Sequence, residues 1–407
     1  MQCGLLGRKL GHSYSPQIHV SLGDYSYGLF EKEPGELANF LKQGDWDGIN
    51  VTVPYKKDVI PFLDELTPVA ARLGAVNTVV RRNGKLIGHN TDYFGFMSMV
   101  NASGLAVKGK KALILGSGGA SNTVVAVLNE LGAQTVIISR SGDNHYGNLQ
   151  KHADAALLVN TTPVGMYPHT GISPVSLDTF PTLEGVLDVI YNPARTKLLL
   201  DAEKRGLVTM NGLLMLVAQA KEAAEWFTGR VISDDVIGPI MSRLNLEMQN
   251  IILIGMPGCG KSSVGKLLAK RTGHRFLDAD EEVIRLAGKS IPEIFSQDGE
   301  NTFRNLETEV LSDLGKQSGL IIATGGGCVT RARNYPLLRQ NGIIIWLTRN
   351  IAALPTDGRP LSQNNRLEEM YRNRKPLYEA FADYEINNDG ELDDTVVQIT
   401  AVWEDSL

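Results

Sequence analysis

Residues 250–272 read NIILIGMPGCGKSSVGKLLAKRT, and residues 110–131 read KKALILGSGGASNTVVAVLNEL. In each, a short apolar run is followed by a glycine-rich turn and then by helical periodicity, the sequence form of a β-loop-α unit in a parallel sheet. The two turns differ in kind, so they predict two nucleotide sites rather than an internal repeat. The 407 residues allow two or three domains. Apolar residues at 43% and charged residues at 21% supply ample core material. The net charge is −5, with 22 basic against 23 acidic residues before Met248 and 18 against 22 after it. Neither half is therefore a basic module for nucleic acid or an anionic membrane. No apolar run reaches the ~20 residues of a membrane helix, and no signal-peptide profile follows Met1. Cys3, Cys259 and Cys328 are too few and too far apart for a disulfide framework or a zinc site. The expectation is a cytoplasmic α/β protein. Residues 234–248 (DDVIGPIMSRLNLEM) read as a helix, and the next strand opens at Met248-Gln249-Asn250. The joint between domains is expected near Leu246 to Gln249 and is only a few residues long.

In the first half, Gly116-Ser117-Gly118-Gly119-Ala120-Ser121 lies between a strand and a helix. Glycines there let the backbone turn tightly and approach a pyrophosphate, whose charge meets helix amides. A tight structural turn would use the same glycines. The next strand, Thr135 to Ser139, runs into Ser139-Arg140-Ser141, where an NAD site carries Asp or Glu. An arginine flanked by hydroxyls suits a ribose 2′-phosphate, so the residues point to NADP(H); otherwise Arg140 is a solvated strand end. Ahead of this unit stand polar clusters among glycines and prolines: Gly11-His12-Ser13-Tyr14-Ser15-Pro16, Asn50-Val51-Thr52-Val53-Pro54-Tyr55-Lys56, Ala75-Val76-Asn77-Thr78 and Asn90-Thr91-Asp92. Each alone is a plausible turn or cap. Together they hold the hydroxyls, amides, lysine and aspartate needed to bind a polyhydroxylated carboxylic acid. Hydride delivery to a ketone creates an alkoxide, and a lysine oriented by an aspartate can supply both the proton and the positive charge.

The order of these clusters continues with Asn160-Thr161-Thr162-Pro163, Asp188-Val189-Ile190-Tyr191 and Leu216-Val217-Ala218-Gln219-Ala220. Over about residues 1–245 the set closely resembles the shikimate dehydrogenase family. The resemblance implies a substrate α/β lobe (about 1–95 and 212–247) and a Rossmann NADP lobe (about 96–211). It implies that Ser13, Ser15, Thr52, Asn77, Asp92, Tyr191 and Gln219 hold the substrate. It also implies that Gly116 to Ala120, Ser139, Arg140, Ser141, Val189 and Gly212 contact NADP(H), and that Lys56 and Asp92 are the catalytic pair. Three features depart from the family. The segment from Ser15 to Asn50 is short, the Rossmann sheet is expected to lack an edge βα unit between Arg140 and Asn160, and Gly212-Leu213-Leu214-Met215 replaces Gly-Leu-Gly-Met.

In the second half, Gly255-Met256-Pro257-Gly258-Cys259-Gly260-Lys261-Ser262 matches G-x-x-x-x-G-K-[ST] between a strand and a helix. The loop amides, from Gly258 through Cys259 and Gly260 to Ser263, cradle phosphates, Lys261 neutralises their charge, and Ser262 offers a hydroxyl to Mg²⁺. Phe276-Leu277-Asp278-Ala279-Asp280 is expected to end a strand with both carboxylates on one side of it. Phe303-Arg304, Gly325-Gly326-Gly327, Arg359-Pro360-Leu361 and Arg374-Lys375-Pro376-Leu377-Tyr378 follow. The series resembles the shikimate kinase family over about residues 248–407, a P-loop α/β domain with a parallel sheet. The resemblance implies ATP and Mg²⁺, with Asp278 at the metal and Asp280 orienting or deprotonating the attacking hydroxyl. It further implies that Arg304, Gly326 and Arg374 hold the acceptor acid, and that Arg359, from a lid at about 351–366, meets the transferring phosphate. The lid lacks the arginine that in this family precedes it and packs on adenine.

The whole chain thus resembles a bifunctional fusion that reduces 3-dehydroshikimate with NADPH and phosphorylates shikimate with ATP, its partners being small molecules. Two rivals are a quinate-type dehydrogenase joined to a kinase for another small acid, and a metabolite-binding regulator without turnover. Retention of Ser13, Thr52 and Arg140 argues against the first, and retention of Lys56, Asp92, Lys261 and Asp280 against the second.

Overall fold

The structure is a computed structural model, and it describes residues 1–11, 13–354 and 365–406. The described chain forms two compact units. The first comprises Met1–Val164, Ser173–Tyr191 and Asp201–Met241, and the second gathers Gly165–Ile172, Asn192–Leu200 and Ser242–Leu407. Within the second unit the Ala194 N–H donates to Asn341 Oδ1 (2.8 Å) and the Arg195 N–H to the Gln340 carbonyl (2.8 Å). Among the described residues no helix is long and apolar enough to cross a membrane.

The first unit contains two sheets. One is mixed and six-stranded: β1 (Gln2–Gly7), β2 (Ser26–Glu31), β3 (Gly48–Val51), β4 (Glu65–Leu66), β5 (Thr78–Arg82) and β6 (Lys85–His89), in the order β2-β1-β3-β5-β6-β4. Its first three strands are parallel, and β5 runs antiparallel to both β3 and β6. Thr52 directly follows β3, Asn77 directly precedes β5 and Asn90 directly follows β6, so strand pairing fixes their spacing. The other sheet is parallel and five-stranded: β7 (Lys111–Leu115), β8 (Gln134–Ile138), β9 (Leu157–Asn160), β10 (Gly185–Asp188) and β11 (Val208–Met210), in the order β11-β10-β9-β7-β8. The order turns back at β7, the switch point at which doubly wound sheets bind ligands. Only a 3₁₀ segment, Tyr146–His152, stands between β8 and β9. The sheet therefore ends at β8, as the short spacing from Arg140 to Asn160 predicts. Helices Asp92–Ser103 and Leu213–Thr228 pack on each other. A Cβ on Gly95 would come within 2.6 Å of the Met215 carbonyl oxygen, so the absence of a side chain there sets their close approach.

The second unit is built on five parallel strands, β12 (Asn250–Ile254), β13 (Arg275–Asp278), β14 (Leu320–Ala323), β15 (Gly342–Thr348) and β16 (Tyr384–Asn387), in the order β13-β14-β12-β15-β16. Ile251 to Ile254, Leu320 to Ile322 and Ile343 to Leu347 are buried on both faces, which is why these strands read as unbroken apolar runs.

Candidate active sites

In the first unit a cavity of about 280 Å³ brings together Ser13, Ser15, Thr52, Lys56, Asn77 and Asp92 with Ala120, Val189, Tyr191, Gly212 and Gln219. Lys56 Nζ donates to Asp92 Oδ2 at 2.6 Å, and both side chains keep part of their surface open (27% and 15%). Asp92 opens its helix, where the positive end of the helix dipole favours a carboxylate. Asn77 anchors the turn before it. Its Oδ1 accepts the Thr91 N–H (2.7 Å), and its Nδ2 donates to Thr91 Oγ1 (3.0 Å). Thr91 Oγ1 also donates to Gln219 Oε1 (3.3 Å), and Gln219 Nε2 donates to the Leu216 carbonyl (2.8 Å). Asn77 and Gln219 therefore reach the cavity from positions already tied to the fold.

Asn50 also lines this cavity and was passed over in the sequence, although it opens the cluster that runs to Lys56. Its Nδ2 donates to Thr78 Oγ1 (3.1 Å), and its Oδ1 accepts from the Tyr27 hydroxyl (2.8 Å). Tyr27 stacks on His19 with ring centroids 3.9 Å apart. Burial drives His19 down to about 3 and holds the Tyr27 hydroxyl well above the usual phenol range. This base of the cavity thus stays neutral. His12, quoted with the first cluster, lies outside the described residues.

The glycine-rich turn after β7 does not line the cavity; of its predicted contacts only Ala120 does. Gly116, Ser117, Gly118 and Gly119 join β7 to helix Gly119–Glu130. Gly116 has φ +104°, and a Cβ there would stand 2.9 Å from Thr162 Cγ2 and 3.0 Å from Thr161 Oγ1. A Cβ on Gly212 would run into the Val189 carbonyl. At both places the protein's own chain comes too close for a side chain, whereas a Cβ on Gly118 or Gly119 would meet nothing within 4 Å, which leaves that part of the turn open to a dinucleotide. Ser139, Arg140 and Ser141 lie just past β8, also away from the cavity wall. Ser139 Oγ bonds the Ser141 carbonyl, and Arg140 is exposed. Burial pushes the nearby Tyr146 hydroxyl up, and the Arg140 charge draws it partly back.

In the second unit a cavity of about 670 Å³ is lined by Gly258, Gly260, Lys261, Ser262, Ser263, Asp278, Asp280, Arg304, Gly326 and Arg374. Gly258 and Gly260 hold φ of +86° and +101°, turning the loop so that amides can face a phosphate. Lys261 Nζ donates to the Gly255 and Met256 carbonyls (2.9 and 3.0 Å). Ser262 Oγ donates to Asp278 Oδ2 at 2.6 Å. Among the described residues no cluster of three His, Cys, Asp or Glu side chains could hold a metal. One hydroxyl and one carboxylate nevertheless fit Mg²⁺, which keeps several waters and takes further oxygens from substrate phosphates. Cys259 departs from expectation. Its N–H is spent on the Met256 carbonyl (3.2 Å), its thiol is buried, and it does not line the cavity.

The two carboxylates do not share a strand, contrary to the sequence reading. β13 stops at Asp278, which caps helix Ala279–Ala287 by accepting the Asp280 N–H (3.0 Å), and Asp280 sits in that helix's first turn. Asp followed by three acidic residues within four positions is a helix start, and here it overrides the strand alternation. Asp280 still reaches the cavity.

At the acceptor end, Arg304 Nη1 donates to Glu307 Oε2 (2.9 Å) and Nη2 to Glu300 Oε1 (3.3 Å). Arg374 Nη1 donates to the Gly326 carbonyl (3.0 Å), which also accepts from the Tyr378 hydroxyl (2.5 Å). Glu307, which the sequence reading missed, lines the cavity at 1% exposure, and its Oε1 is buried with no hydrogen-bond partner among the described residues. Its place three residues after Arg304 on one helix was the available signal. A Cβ built on Gly325 would lie 2.5 Å from Glu307 Oε1 and 2.8 Å from Asp280 Oδ1, so the two carboxylates face one spot. Burial pushes Glu307 up to about 7 against the pull of Arg304, with Asp280 adding to the rise. Burial pulls Arg304 down, but Glu307 and Glu300 outweigh it and hold the guanidinium above its ordinary range. Arg359 and most of the expected lid, residues 355–364, lie outside the described residues.

Fold and sites define an enzyme with two nucleotide-dependent centres, a Rossmann-type centre with a lysine-aspartate pair and a P-loop phosphotransferase centre. Comparison with known proteins gives the particulars. Residues 5–79 match the family profile "Shikimate dehydrogenase substrate binding domain", and residues 257–403 match that of shikimate kinase. Shikimate dehydrogenase (NADP(+)) of Clostridium perfringens strain SM101 is 36% identical over 248 residues, 56% of this chain and 92% of that protein. The crystal structure of shikimate dehydrogenase 1 from Peptoclostridium difficile is 37% identical with a TM-score of 0.56, covering 60% of this chain and 98% of the other. A chorismate mutase/shikimate 5-dehydrogenase fusion protein from Clostridium acetobutylicum is 33% identical with a TM-score of 0.57, covering 60% and 96%. The chain belongs to the shikimate dehydrogenase family and carries a shikimate kinase domain after it.

Proposed function

We propose that residues 1–247 reduce 3-dehydroshikimate to shikimate with NADPH and that residues 248–407 transfer the γ-phosphoryl group of ATP to the shikimate 3-hydroxyl. The observation that carries the reading is one chain holding both a Lys56–Asp92 pair in a cavity walled by hydroxyls and amides and a phosphate loop opening toward Arg304 and Arg374. When bound, NADPH supplies a hydride, and ATP with Mg²⁺ supplies a phosphoryl group. Ser13, Ser15 and Tyr191 take the carboxylate, while Thr52, Asn77 and Gln219 fix the ring hydroxyls. Lys56 gives its proton to the oxygen of the reduced carbon, and Asp92 keeps the ammonium aimed there. Gly116 to Ala120, Val189 and Gly212 seat the dinucleotide, with Arg140 and its flanking serines on the 2′-phosphate.

In the second site Arg304, Arg374 and Gly326 hold the acceptor's carboxylate and ring, which leaves its hydroxyl beside Asp280. Lys261 and Arg359 neutralise the phosphates, and Ser262 and Asp278 hold Mg²⁺. Catalysis here is positioning and charge neutralisation. The reading includes a cytoplasmic location. The test is direct: purified protein should oxidise NADPH only when 3-dehydroshikimate is added, and should convert ATP and shikimate to ADP and shikimate 3-phosphate. Failure of either half refutes that half alone.

A further inference from the structure

Both polar atoms of the Asn388 side chain are spent, and their partners join the phosphate loop to the far side of the sheet. Asn388 is buried just past β16. Its N–H donates to the Thr348 carbonyl at the end of β15 (2.8 Å). Its Oδ1 accepts from Thr395 Oγ1 (2.8 Å), a buried hydroxyl on helix Leu392–Glu404. Its Nδ2 donates to the Cys259 carbonyl in the phosphate loop (2.7 Å). The same amide closes over Gly260, where a Cβ would stand 2.3 Å from Nδ2. Gly260 therefore answers to two demands, its positive φ and this contact.

The bond acts on a peptide plane. In a trans peptide the C=O and the following N–H point in opposite directions. Holding the Cys259 C=O on the β16 side thus turns the Gly260 N–H away from that side. Gly260 lines the kinase cavity whereas Cys259 does not, and among the described residues the Gly260 N–H has no hydrogen-bond partner. A donor so placed, just before helix Lys261–Thr272, is aimed at an anion. Without the Asn388 amide the Cys259 carbonyl would lose its buried donor, and rotation of the plane would bring its oxygen toward the phosphates.

Resting on the kinase reading above, we propose that Asn388 is a positioning residue of the phosphate loop, fixing the Cys259–Gly260 peptide so that the Gly260 N–H meets the phosphates of the nucleotide. Asn388 does not itself line the cavity, so it acts through the loop. An amide suits the place because it accepts from Thr395 and donates to Cys259 at once, whereas an ionised carboxylate of the same shape can only accept.

The test is isothermal titration of the full chain with ATP and with inorganic tripolyphosphate, each with Mg²⁺, and with shikimate alone. Asn388→Asp keeps the shape and the bond from Thr395 but sets a carboxylate oxygen against the Cys259 carbonyl. It should weaken ATP and tripolyphosphate alike, about 10- to 100-fold, the worth of a hydrogen bond to a charged group, while shikimate binds as in the parent. In turnover the KM for ATP should rise and the KM for shikimate should not. Thr395→Val leaves the donor to Cys259 in place and should change either phosphate ligand by less than about threefold, its cost falling on stability. Weakening of ATP without tripolyphosphate would put the effect on the nucleoside and overturn the proposal, as would unchanged binding of both. Equal losses from Thr395→Val and Asn388→Asp would show a packing role and overturn it too. So would loss of shikimate binding in both Asn388→Asp and Asn388→Ala. A parent chain that binds tripolyphosphate but not shikimate would refute the kinase reading and leave this inference standing.

Discussion

Replacing Glu307 by glutamine should change the pH dependence of stability rather than simply lower stability. In the folded chain this carboxyl is buried and titrates at about 7, against an ordinary 4.5. At 1.36 kcal/mol per pH unit the difference is roughly 3 kcal/mol. The sign is that of a raised acid. Below the unfolded value both states are protonated and nothing is lost. As pH rises from 4.5 to 7 the unfolded chain gives up the proton while the folded chain keeps it, so stability falls across that window. Above 7 the full cost is present. Glutamine does not titrate, and its carbonyl can still accept from Arg304. The advantage of Glu307→Gln over the parent should therefore grow by roughly 2–3 kcal/mol between pH 5 and pH 8, added to whatever constant loss follows from the weaker partner for Arg304. Urea unfolding of the full chain at several pH values measures this. The kinase transition is recognisable as the one that ATP moves to higher denaturant. A gap between variant and parent that stays constant from pH 5 to 8 would refute the buried, raised carboxyl.

Four further outcomes are expected. Lys56→Ala should lower dehydrogenase kcat by about 10²–10⁴, the worth of a positioned acid, with phosphorylation of shikimate unchanged; retained NADPH oxidation would sink the assignment. Arg140→Ala should weaken NADPH by about 1.5–3 kcal/mol and leave NADH nearly unaffected, measured by cofactor KM values. Lys261→Ala should abolish phosphoryl transfer and spare NADPH oxidation, and surviving ATP turnover would mean the loop has been misread. In a coupled assay from 3-dehydroshikimate, added labelled shikimate should dilute the product label fully, because no long basic stretch offers an anionic intermediate a path; an undiluted label would contradict this.

Both nucleotide loops were legible because their glycines are backbone requirements, and such requirements survive translation into one-letter code. Gly116, Gly258 and Gly260 all sit at positive φ. The first unit's cavity was legible only as a set, since Ser13, Thr52, Asn77 and Gln219 converge through strand pairing and helix contact that no single cluster shows. What escaped was of two kinds. Asp280 was put on a strand because the spacing of two carboxylates was weighed without the capping habit of Asp278, and local helix chemistry won. Asn50 and Glu307 escaped because their importance is a matter of burial. A glutamate on a polar helix reads as solvated until the sheet behind it is known.

The two cavities share a design that bears on why such activities tolerate fusion. In each, the groups aimed at ligand are held by bonds internal to one unit. Asn77 and Gln219 are tied to Thr91 and Leu216, and Arg374 is tied to Gly326. Among the described residues, the lining of each cavity therefore comes from a single unit. What linkage does fix is stoichiometry. A ketone reduction by a nicotinamide is reversible, and its extent depends on how fast the alcohol is removed. Phosphoryl transfer from ATP removes the alcohol as a charged ester, at a number of sites always equal to the number producing it. The pull is a matter of mass action, needs no contact between the cavities, and would persist if the two halves were made as separate chains in equal amount.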